Sequence, residues 1–335
     1  MSDSSVQKQR LYALRPHQRR LVWGGTRLEV DDHQPADSFG IAESLDVSCL
    51  VDMPSMVVQA SGPAVPLADA FALDPVHFLG RKAPVGADFP FLIKRLDAAQ
   101  SLSVQVHPDD AAANRLEGAR NGKAEVWVVL DAEPDAHVLL GFKDGSTEED
   151  VRAAVTDGTL PDLMRRVEVA PGDVIPVPCG CVHGIGPGVL FFEAQQPSDL
   201  TYRLFDWGRK DASGRERELH VDRALEVSQL DLRPEVVEPE LVLRGRGMTE
   251  WHLDQRSTFS LSRWKVSKSI TRMIQELTVF FVEDGSCVIR TIGGESQTVT
   301  AGQTVLLAAA ACRVYVDPSP TASLLVVQPS WRKES

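Results

Sequence analysis

The chain has 335 residues, which is enough for two domains of about 100 to 200 residues, each with its own hydrophobic core. Hydrophobic residues make up 43% and charged residues 24%, a globular composition that excludes disordered, collagen-like and coiled-coil chains. The 35 basic and 47 acidic residues leave a net charge of -12, which argues against nucleic-acid or anionic membrane partners because both bind basic surfaces. An anionic ligand must therefore bind in a locally positive pocket.

The segment 1–10 is polar, and no apolar run reaches the roughly 18 residues that span a bilayer. We therefore expect a cytoplasmic protein. Its expected partner is a small molecule, and we expect it to act either as a monomer or as a homodimer. The cysteines are odd in number and too few for a disulfide framework, so we predict reduced thiols. They are Cys49, Cys179, Cys181, Cys287 and Cys312.

Strand patterns dominate the chain. Eight short runs are rich in β-branched and aromatic residues and are bounded by Gly, Pro or Asp, which predicts strands. They are Val126–Leu130, Val138–Leu140, Val174–Val177, Val189–Glu193, Leu277–Val282, Cys287–Thr291, Thr304–Leu307 and Leu324–Val327. So many short strands are typical of a sandwich or barrel, so we predict a mainly β fold.

Helical patterns are fewer. Ser146 and Glu149 form a predicted capping box before a helix over 150–155, and further helices are predicted over 160–166 and 222–227. We expect them to decorate the β core, with a small helical insertion at about 108–120 and 146–166.

Two segments share one pattern of a glycine turn, a strand and a loop. Residues 172–183 end in His183, and residues 302–313 end in Arg313. The strand that precedes the first copy opens with Glu125, and Val279 stands near that place before the second copy. One barrel module used twice explains this pattern, although glycine turns also recur by chance.

The polar groups of the repeat survive only in the first copy. We therefore predict a catalytic domain over 1–230 and a degenerate β domain over 231–335, joined by a linker around Pro234 and Pro239.

Ser103, Gln105 and His107 alternate along a predicted strand and therefore share one face. Buried polar groups on that face need partners, because each unsatisfied group costs about 1 to 3 kcal/mol. A solvent-exposed face has the same pattern, so the alternation alone leaves both interpretations open.

Glu125 and His183 add two ligand-capable side chains at predicted strand ends. With Gln105 and His107 they make a nitrogen and oxygen donor set that suits a divalent cation such as Zn²⁺. The competing pattern, Cys179-x-Cys181-x-His183, has single-residue gaps, whereas structural zinc sites usually space their cysteines by two to four residues. We therefore interpret the two thiols as packing groups.

Five segments, in this order and spacing, resemble type I phosphomannose isomerase in its short bacterial form. They are Phe89–Lys94 (FPFLIK), Leu102–Asp110 (LSVQVHPDD), Gly122–Trp127 (GKAEVW), Val177–His183 (VPCGCVH) and Glu193–Arg203 (EAQQPSDLTYR). Three shorter segments also fit, namely Trp23–Leu28, Ile41–Ser44 and Arg217–His220. The resemblance covers about residues 20–230 and fades beyond them.

The resemblance implies a cupin fold of jelly-roll barrels, one zinc ion per chain, and interconversion of mannose 6-phosphate and fructose 6-phosphate. It implies four zinc ligands (Gln105, His107, Glu125 and His183), a catalytic Arg203, and three substrate or phosphate contacts (Lys94, Ser103 and Lys123). The chain departs from the family pattern at Cys179 and Cys181, where Ser and a small polar residue are common. It also departs at Val128, where an aromatic residue is common.

Aldose–ketose isomerisation needs a base that moves a proton between adjacent carbons while charge on the enediol oxygens is stabilised. Arg203 and the cation are expected to stabilise that charge, and Lys123 is the candidate base because a nearby cation favours its neutral form. Two alternatives stay open: a cupin isomerase for another sugar, and a sugar-binding cupin without catalysis.

Overall fold

A computed structural model of the chain describes residues 8–29, 39–210 and 214–331, apart from the side chains of residues 310 and 312. Within these residues strands far outnumber helices, so the prediction of a mainly β fold is confirmed. None of the described helices is long and apolar enough to cross a membrane.

The first fourteen strands are β1 (Leu11–Arg15), β2 (His17–Gly25), β3 (Ile41–Val47), β4 (Met56–Val57), β5 (Val65–Pro66), β6 (Leu92–Ala98), β7 (Val104–Val106), β8 (Glu125–Ala132), β9 (His137–Phe142), β10 (Met164–Glu168), β11 (Val174–Val177), β12 (His183–Ile185), β13 (Val189–Gln195) and β14 (Tyr202–Phe205). The remaining strands are β15 (Glu240–Gly245), β16 (Met248–Gln255), β17 (Phe259–Val266), β18 (Ile270–Ile274), β19 (Thr278–Thr291), β20 (Ser296–Thr300), β21 (Thr304–Leu307) and β22 (Cys312–Pro329). The helices are α1 (Leu67–Leu73), α2 (Pro75–Leu79), α3 (Asp110–Glu117), α4 (Glu148–Asp157) and α5 (Val221–Val227), and 3-10 turns occupy Leu160–Leu163 and Ala309–Ala311.

The described chain divides into two compact units, which we call the N/C unit and the central unit. The N/C unit contains residues 1–17, 45–93 and 238–335, and the central unit contains residues 18–44 and 94–237. The sequence predicts contiguous domains with a boundary near residue 230. The units are interleaved instead, because β1 pairs with β21 and with β4, which recruits the N-terminal segments to the unit that contains the C-terminal strands.

The central unit is a layered structure with the candidate site between its sheets. A five-stranded sheet has the order β10-β9-β12-β7-β14, and a six-stranded sheet has the order β11-β8-β13-β6-β2-β3. Apolar residues such as Trp127, Val138 and Ile185 pack between the two sheets. On the outer face of the five-stranded sheet, Val104 and Leu139 pack against residues of α4 and α5. These buried faces fix which side of β7 and β12 points inward.

The N/C unit is built on one eleven-stranded sheet with the path β15-β16-β17-β22-β19-β21-β1-β4-β5, from which β18 and β20 branch. Its interior is filled by apolar side chains, among them Trp264, Phe280 and Leu324. The predicted strands Leu277–Val282 and Cys287–Thr291 are two parts of β19, since β-bulges against β22 allow the strand to continue through the expected break at Asp284.

The strand pairing of the two repeat copies is equivalent. In the central unit Val177 pairs with Glu125, and in the N/C unit Leu307, which matches Val177 in the repeat, pairs with Thr278. Thr278, one residue before Val279, therefore stands in the place of Glu125. Its hydroxyl accepts a hydrogen bond from Gln328 Nε2 at 2.9 Å.

Two helical predictions differ from the structure. Residues 160–166 form a 3-10 turn that ends at Leu163 and then strand β10, because β10 pairs antiparallel with β9. The capping box of α4 is shifted by one residue from the predicted pair: Thr147 is the N-cap, and Asp150 reaches back to it. The predicted helix 222–227 corresponds to α5, and α3 lies within the expected insertion.

The corrected cap of α4 gives a paired stability test. Thr147→Ala should destabilise α4 by about 1 kcal/mol, since the Thr147 hydroxyl satisfies the backbone N–H at the third helical position. Ser146→Ala should have a much smaller effect, because Ser146 Oγ donates to the carbonyl of Lys143 outside the helix. Hydrogen exchange of the α4 amides measures both changes, and a larger loss in Ser146→Ala would restore the original prediction.

Candidate active site

A polar cavity of about 260 Å³ lies in the central unit, between its two sheets. Six of the eight residues predicted for the site line it: Lys94, Ser103, Gln105, Lys123, Glu125 and Arg203. The other two, His107 and His183, are buried behind it and contact Glu125. Residues from segments that are up to about a hundred positions apart thus meet in one place. The solvent-exposed interpretation of the 103–107 face is wrong, because Ser103 and His107 are buried.

Glu125 is the centre of this site. It opens β8 and is held between β11 and β13 by pairing with Val177 and Gln195. Its carboxylate is buried, and it accepts hydrogen bonds from Lys123 Nζ at 2.6 Å and from Trp127 Nε1 at 3.1 Å. Burial alone would raise the pKa of Glu125, but the positive charge of Lys123 and the contact with His107 hold the pKa well below its usual value.

Both histidines turn the same nitrogen towards Glu125. His107 Nδ1 lies 2.8 Å from the carbonyl of Leu200, and His183 Nδ1 lies 2.9 Å from the carbonyl of Cys181. A carbonyl only accepts hydrogen bonds, so both Nδ1 atoms carry the proton and both Nε2 atoms present a lone pair. The Nε2 atoms of His107 and His183 lie 3.2 and 3.9 Å from the carboxylate oxygens of Glu125.

The protonation states of this group suit a metal ion. Burial, together with the charge of Lys123, lowers the pKa of His107 to about 3, and burial also lowers the pKa of His183. Both imidazoles are therefore neutral at neutral pH, while Glu125 is ionised. One ligand atom from each of the three residues lies within 4.8 Å of the others. The set fits a divalent cation, since metal ligands must be deprotonated.

Gln105 lies beside this group on β7, where it pairs in register with His183 on one side and with Arg203 on the other. Its Nε2 is 3.4 Å from His183 Nε2, and its Oε1 accepts a hydrogen bond from Ser103 Oγ at 3.1 Å. To coordinate a metal ion through its oxygen, Gln105 must rotate its amide group by half a turn. This rotation turns Oε1 towards His183 Nε2 and turns the amide nitrogen towards Ser103 Oγ.

Two glycines let the loops approach closely enough to assemble the site. Gly180 has a φ of +81° and donates its N–H to the carbonyl of His107 at 2.9 Å. A Cβ atom at Gly122 would lie 2.5 Å from the carbonyl oxygen of Pro108, closer than packing allows. This approach places the backbone N–H of Lys123 3.1 Å from the same carbonyl, next to His107.

The thiols of the Cys-x-Cys-x-His pattern are outside the group. Cys181 is fully buried in the apolar core between the sheets, and burial raises the pKa of its thiol to about 12. Cys179 lies 3.8 Å from Gln196 Oε1, and burial raises its pKa to about 11. Both thiols are thus protonated at neutral pH, which is unfavourable for metal binding. Cys49 and Cys287 are also free, and the side chain of Cys312 lies outside the described residues.

Lys94 forms a buried ion pair that the sequence analysis missed. Its Nζ lies 3.2 Å from Glu193 Oε1, without the geometry of a hydrogen bond. Burial lowers the pKa of Lys94, but Glu193 and Glu43 more than compensate and raise it overall. Burial and the charge of Glu125 raise the pKa of Glu193 to about 7. The signal for Glu193 was a carboxylate inside the otherwise apolar run of β13.

Arg203, on β14, is half-buried at the wall of the cavity. Its Nη1 donates to the carbonyl of Glu218 at 3.2 Å, and its buried Nε has no partner among the described residues. Burial lowers the pKa of Arg203, and the neighbouring Arg217 lowers it further. Arg217 also lines the cavity and was not singled out as a site residue from the sequence.

The chain is similar to known proteins of one family. The model of the type I phosphomannose isomerase catalytic domain matches residues 11–144. Mannose-6-phosphate isomerase ManA of Bacillus subtilis is 42% identical over 186 residues, which are 55% of this chain and 58% of that protein, so this match spans less than two thirds of the relative. The probable mannose-6-phosphate isomerase GmuF of the same organism is 36% identical over 76% of this chain and 79% of its own length.

A solved structure extends the similarity to nearly the whole chain. The crystal structure of mannose 6-phosphate isomerase from Bacillus subtilis superposes with a TM-score of 0.85 and 27% identity, over 95% of this chain and 99% of that one. This likeness matches the cupin-type β fold expected from the sequence. With the relatives above, it shows that the chain belongs to the type I phosphomannose isomerase family.

Proposed function

We propose that this chain interconverts mannose 6-phosphate and fructose 6-phosphate with one zinc ion per chain, held by Gln105, His107, Glu125 and His183. The observation that carries the proposal is the buried group of His107, Glu125 and His183 at a polar cavity in a member of this family. Two neutral imidazoles and a carboxylate are ligands typical of catalytic zinc, which keeps a position open for substrate or water.

The side chains around the cavity divide the work of the reaction. A bound divalent cation supplies Lewis-acid stabilisation of negative charge on the sugar oxygens. Arg203, which lies opposite Gln105 in the sheet, stabilises the same charge as it develops during enediol formation. Lys123 is proposed as the base that moves the proton between C1 and C2, which requires its amine to be neutral, and a cation held by Glu125 would favour that form. Lys94 and Ser103 contact the substrate. Lys123 is next to the ligand group, since its Nζ lies 3.2 Å from His107 Nε2.

The catalytic residues proposed here all lie in the central unit, before residue 230. For the degenerate domain over 231–335 we propose no metal, because Thr278 and Arg313 stand where Glu125 and His183 stand in the other repeat copy.

A coupled assay that follows fructose 6-phosphate production from mannose 6-phosphate, with and without chelator, tests the proposed function. We expect turnover that chelator abolishes and zinc restores. Turnover of another aldose phosphate in preference to mannose 6-phosphate would favour an isomerase for a different sugar. Binding of the sugar phosphate without turnover, in zinc-loaded protein, would favour a non-catalytic sugar-binding protein.

Metal analysis after dialysis should give one divalent ion per chain. His107→Ala should lose that ion together with activity, because it removes one of the two imidazoles that face Glu125. His137→Ala is a matched control, since His137 lies outside the ligand group, at the protein surface beside Arg166. A stoichiometry near two, or an ion retained in His107→Ala, would contradict the one-site proposal.

The double variant Cys179→Ser/Cys181→Ala should keep the metal content of the wild type. Both thiols are protonated packing groups, so their removal takes no ligand from the ion. Atomic absorption on the dialysed proteins makes the comparison. Loss of the ion in the double variant would revive the Cys-x-Cys-x-His alternative.

Arg203→Ala should lower kcat by about 10² to 10³ and leave KM nearly unchanged, because it removes a donor to charge that develops only in the transition state. Steady-state kinetics with mannose 6-phosphate measure both constants. A raised KM with kcat intact, together with no effect on unphosphorylated mannose, would instead make Arg203 a phosphate contact.

A further inference from the structure

Positive and negative charges are unevenly distributed around the polar cavity. Over most of the wall, each cation faces one carboxylate. These pairs are Lys123 with Glu125 at 2.6 Å, Lys94 with Glu193 at 3.2 Å, and Arg19 with Glu43 at 2.8 Å. Charge is therefore balanced at these positions.

The wall that follows β14 is different. Here two guanidinium groups, Arg203 and Arg217, line the cavity, and Arg217 shares one buried carboxylate, Asp206, with the neighbouring Arg209. Arg203 makes no ion pair with any described residue. Burial lowers the pKa of Arg203. The positive charges of Arg217 and Arg209 lower it further, and the negative charge of Asp206 raises it. The cavity lining as a whole holds five Lys and Arg side chains and four carboxylates, Asp199 included, so it has an excess of one positive charge and favours an anion. The two cations without a carboxylate partner on the lining, Arg203 and Arg217, both lie on this part of the wall.

Asp206 holds two arginines that point to different places. Arg217 binds it through Nε at 2.6 Å and Nη2 at 2.5 Å, in a forked ion pair. Arg209 also donates to Asp206, and it makes a second short hydrogen bond to the carbonyl of Ser101. Arg217 lines both the polar cavity and a neighbouring pocket, whereas Arg209 lines only the neighbouring pocket. One arginine is thus directed at the ligand space, and the other anchors the turn.

The turn that contains Asp206, Trp207 and Arg209 is held in place by hydrogen bonds to a neighbouring segment. Trp207 has a φ of +58°, a backbone conformation that bulky residues rarely adopt. Its indole Nε1 donates to the carbonyl of Leu102 at 2.7 Å, next to Ser103. This contact and the one between Arg209 and Ser101 tie the turn to the segment that enters β7. Strained backbone of this kind persists where surrounding contacts fix it, often at binding sites.

Arg217 keeps donors for a ligand. Its contacts with Asp206 use Nε and Nη2, and Nη1 has no hydrogen bond to a described residue. The side chain is about one third exposed, at 32%. A phosphate monoester carries a charge of about -1.5 to -2 and three strong acceptor oxygens, which matches a guanidinium held in place by a carboxylate.

We propose that Arg217 binds the phosphate group of the sugar phosphate and that Asp206 is the positioning residue that orients its guanidinium. This inference rests on the proposed function for the identity of the substrate. Arg203 remains at the reacting oxygens, because it lies opposite Gln105 in the sheet, whereas Arg217 extends from the segment before α5. The phosphate end and the reacting end of the substrate then meet different arginines.

The test compares Arg217→Gln with Arg209→Gln, which removes the other arginine on Asp206 and leaves the cavity wall intact. Two readouts are used: KM and kcat for mannose 6-phosphate, and the affinity for inorganic phosphate of the zinc-loaded protein, followed by the fluorescence of Trp23 and Trp127 at the cavity. The phosphate titration needs no turnover, so it tests Arg217 even if the proposed reaction fails.

We expect Arg217→Gln to raise KM and to weaken phosphate binding by about tenfold or more, with kcat within threefold of wild type. Arg217→Lys, which keeps the charge but not the fork, should have an intermediate effect. Arg209→Gln should lower the thermal stability and change KM by less than threefold. Asp206→Asn should raise KM without a matching loss of kcat, as expected for a residue that acts through Arg217.

The proposal is overturned if Arg217→Gln leaves KM and phosphate affinity within threefold of wild type, or if Arg209→Gln weakens phosphate binding as much as Arg217→Gln does. Should Asp206→Asn fail to fold, the two arginine variants still decide the assignment of Arg217. Absence of turnover in the wild type, with phosphate binding that depends on Arg217, would reject the reaction and keep the anion site.

Discussion

The buried carboxylate of Glu125 is the constraint around which the central unit is organised. An ionised group without access to water is costly unless charges and hydrogen bonds surround it. Lys123 and Trp127 supply two donors, and His107 and His183 direct their unprotonated Nε2 atoms at the same carboxylate. Nitrogen lone pairs that face a carboxylate need a cation beside them: the Lys123 ammonium lies against Glu125 and His107, and the same three ligand atoms could hold a metal ion.

The strands of the two sheets place these groups with little conformational freedom. β8 in the six-stranded sheet carries Glu125, and β12 in the five-stranded sheet carries His183, so the two sheets close on the site from opposite sides. Backbone carbonyls then fix the histidine rings: Leu200 accepts from His107, and Cys181 accepts from His183. The hydrogen bonds that orient the two histidine rings thus come from the main chain. Substitution of the side chains of Leu200 and Cys181 should therefore leave these hydrogen bonds in place.

Elements that depend on neighbouring residues could be predicted from the sequence, whereas contacts between residues far apart along the chain could not. Local patterns predicted β11 with its observed bounds and α5 to within one residue, because strand and helix preferences are properties of neighbouring residues. Even there, the cap of α4 was misplaced by one residue, since Ser146 and Thr147 offer the same hydroxyl. The pairing of β1 with β21 left no local trace, so the interleaving of the two units was missed.

The site residues also divide into those that were identified from the sequence and those that only the structure shows. Glu125 and His183 were grouped with Gln105 and His107 from their places on predicted strands, but that spacing has little specificity, and the resemblance to a family is what gave the set its role. Glu193 and Arg217 were missed as site residues because a single charge in a strand or loop is usually solvated. Only the structure places Glu193 against Lys94, and Arg217 on Asp206.

X-ray absorption spectroscopy at the zinc edge of the loaded protein tests the central claim most directly. We expect a single shell of nitrogen and oxygen ligands at about 2.0 to 2.2 Å, with imidazole scattering from two histidines, and no such zinc signal in dialysed His107→Ala. A sulfur ligand at about 2.3 Å, or a spectrum unchanged by His107→Ala, would contradict the claim that His107, Glu125 and His183 form the metal centre.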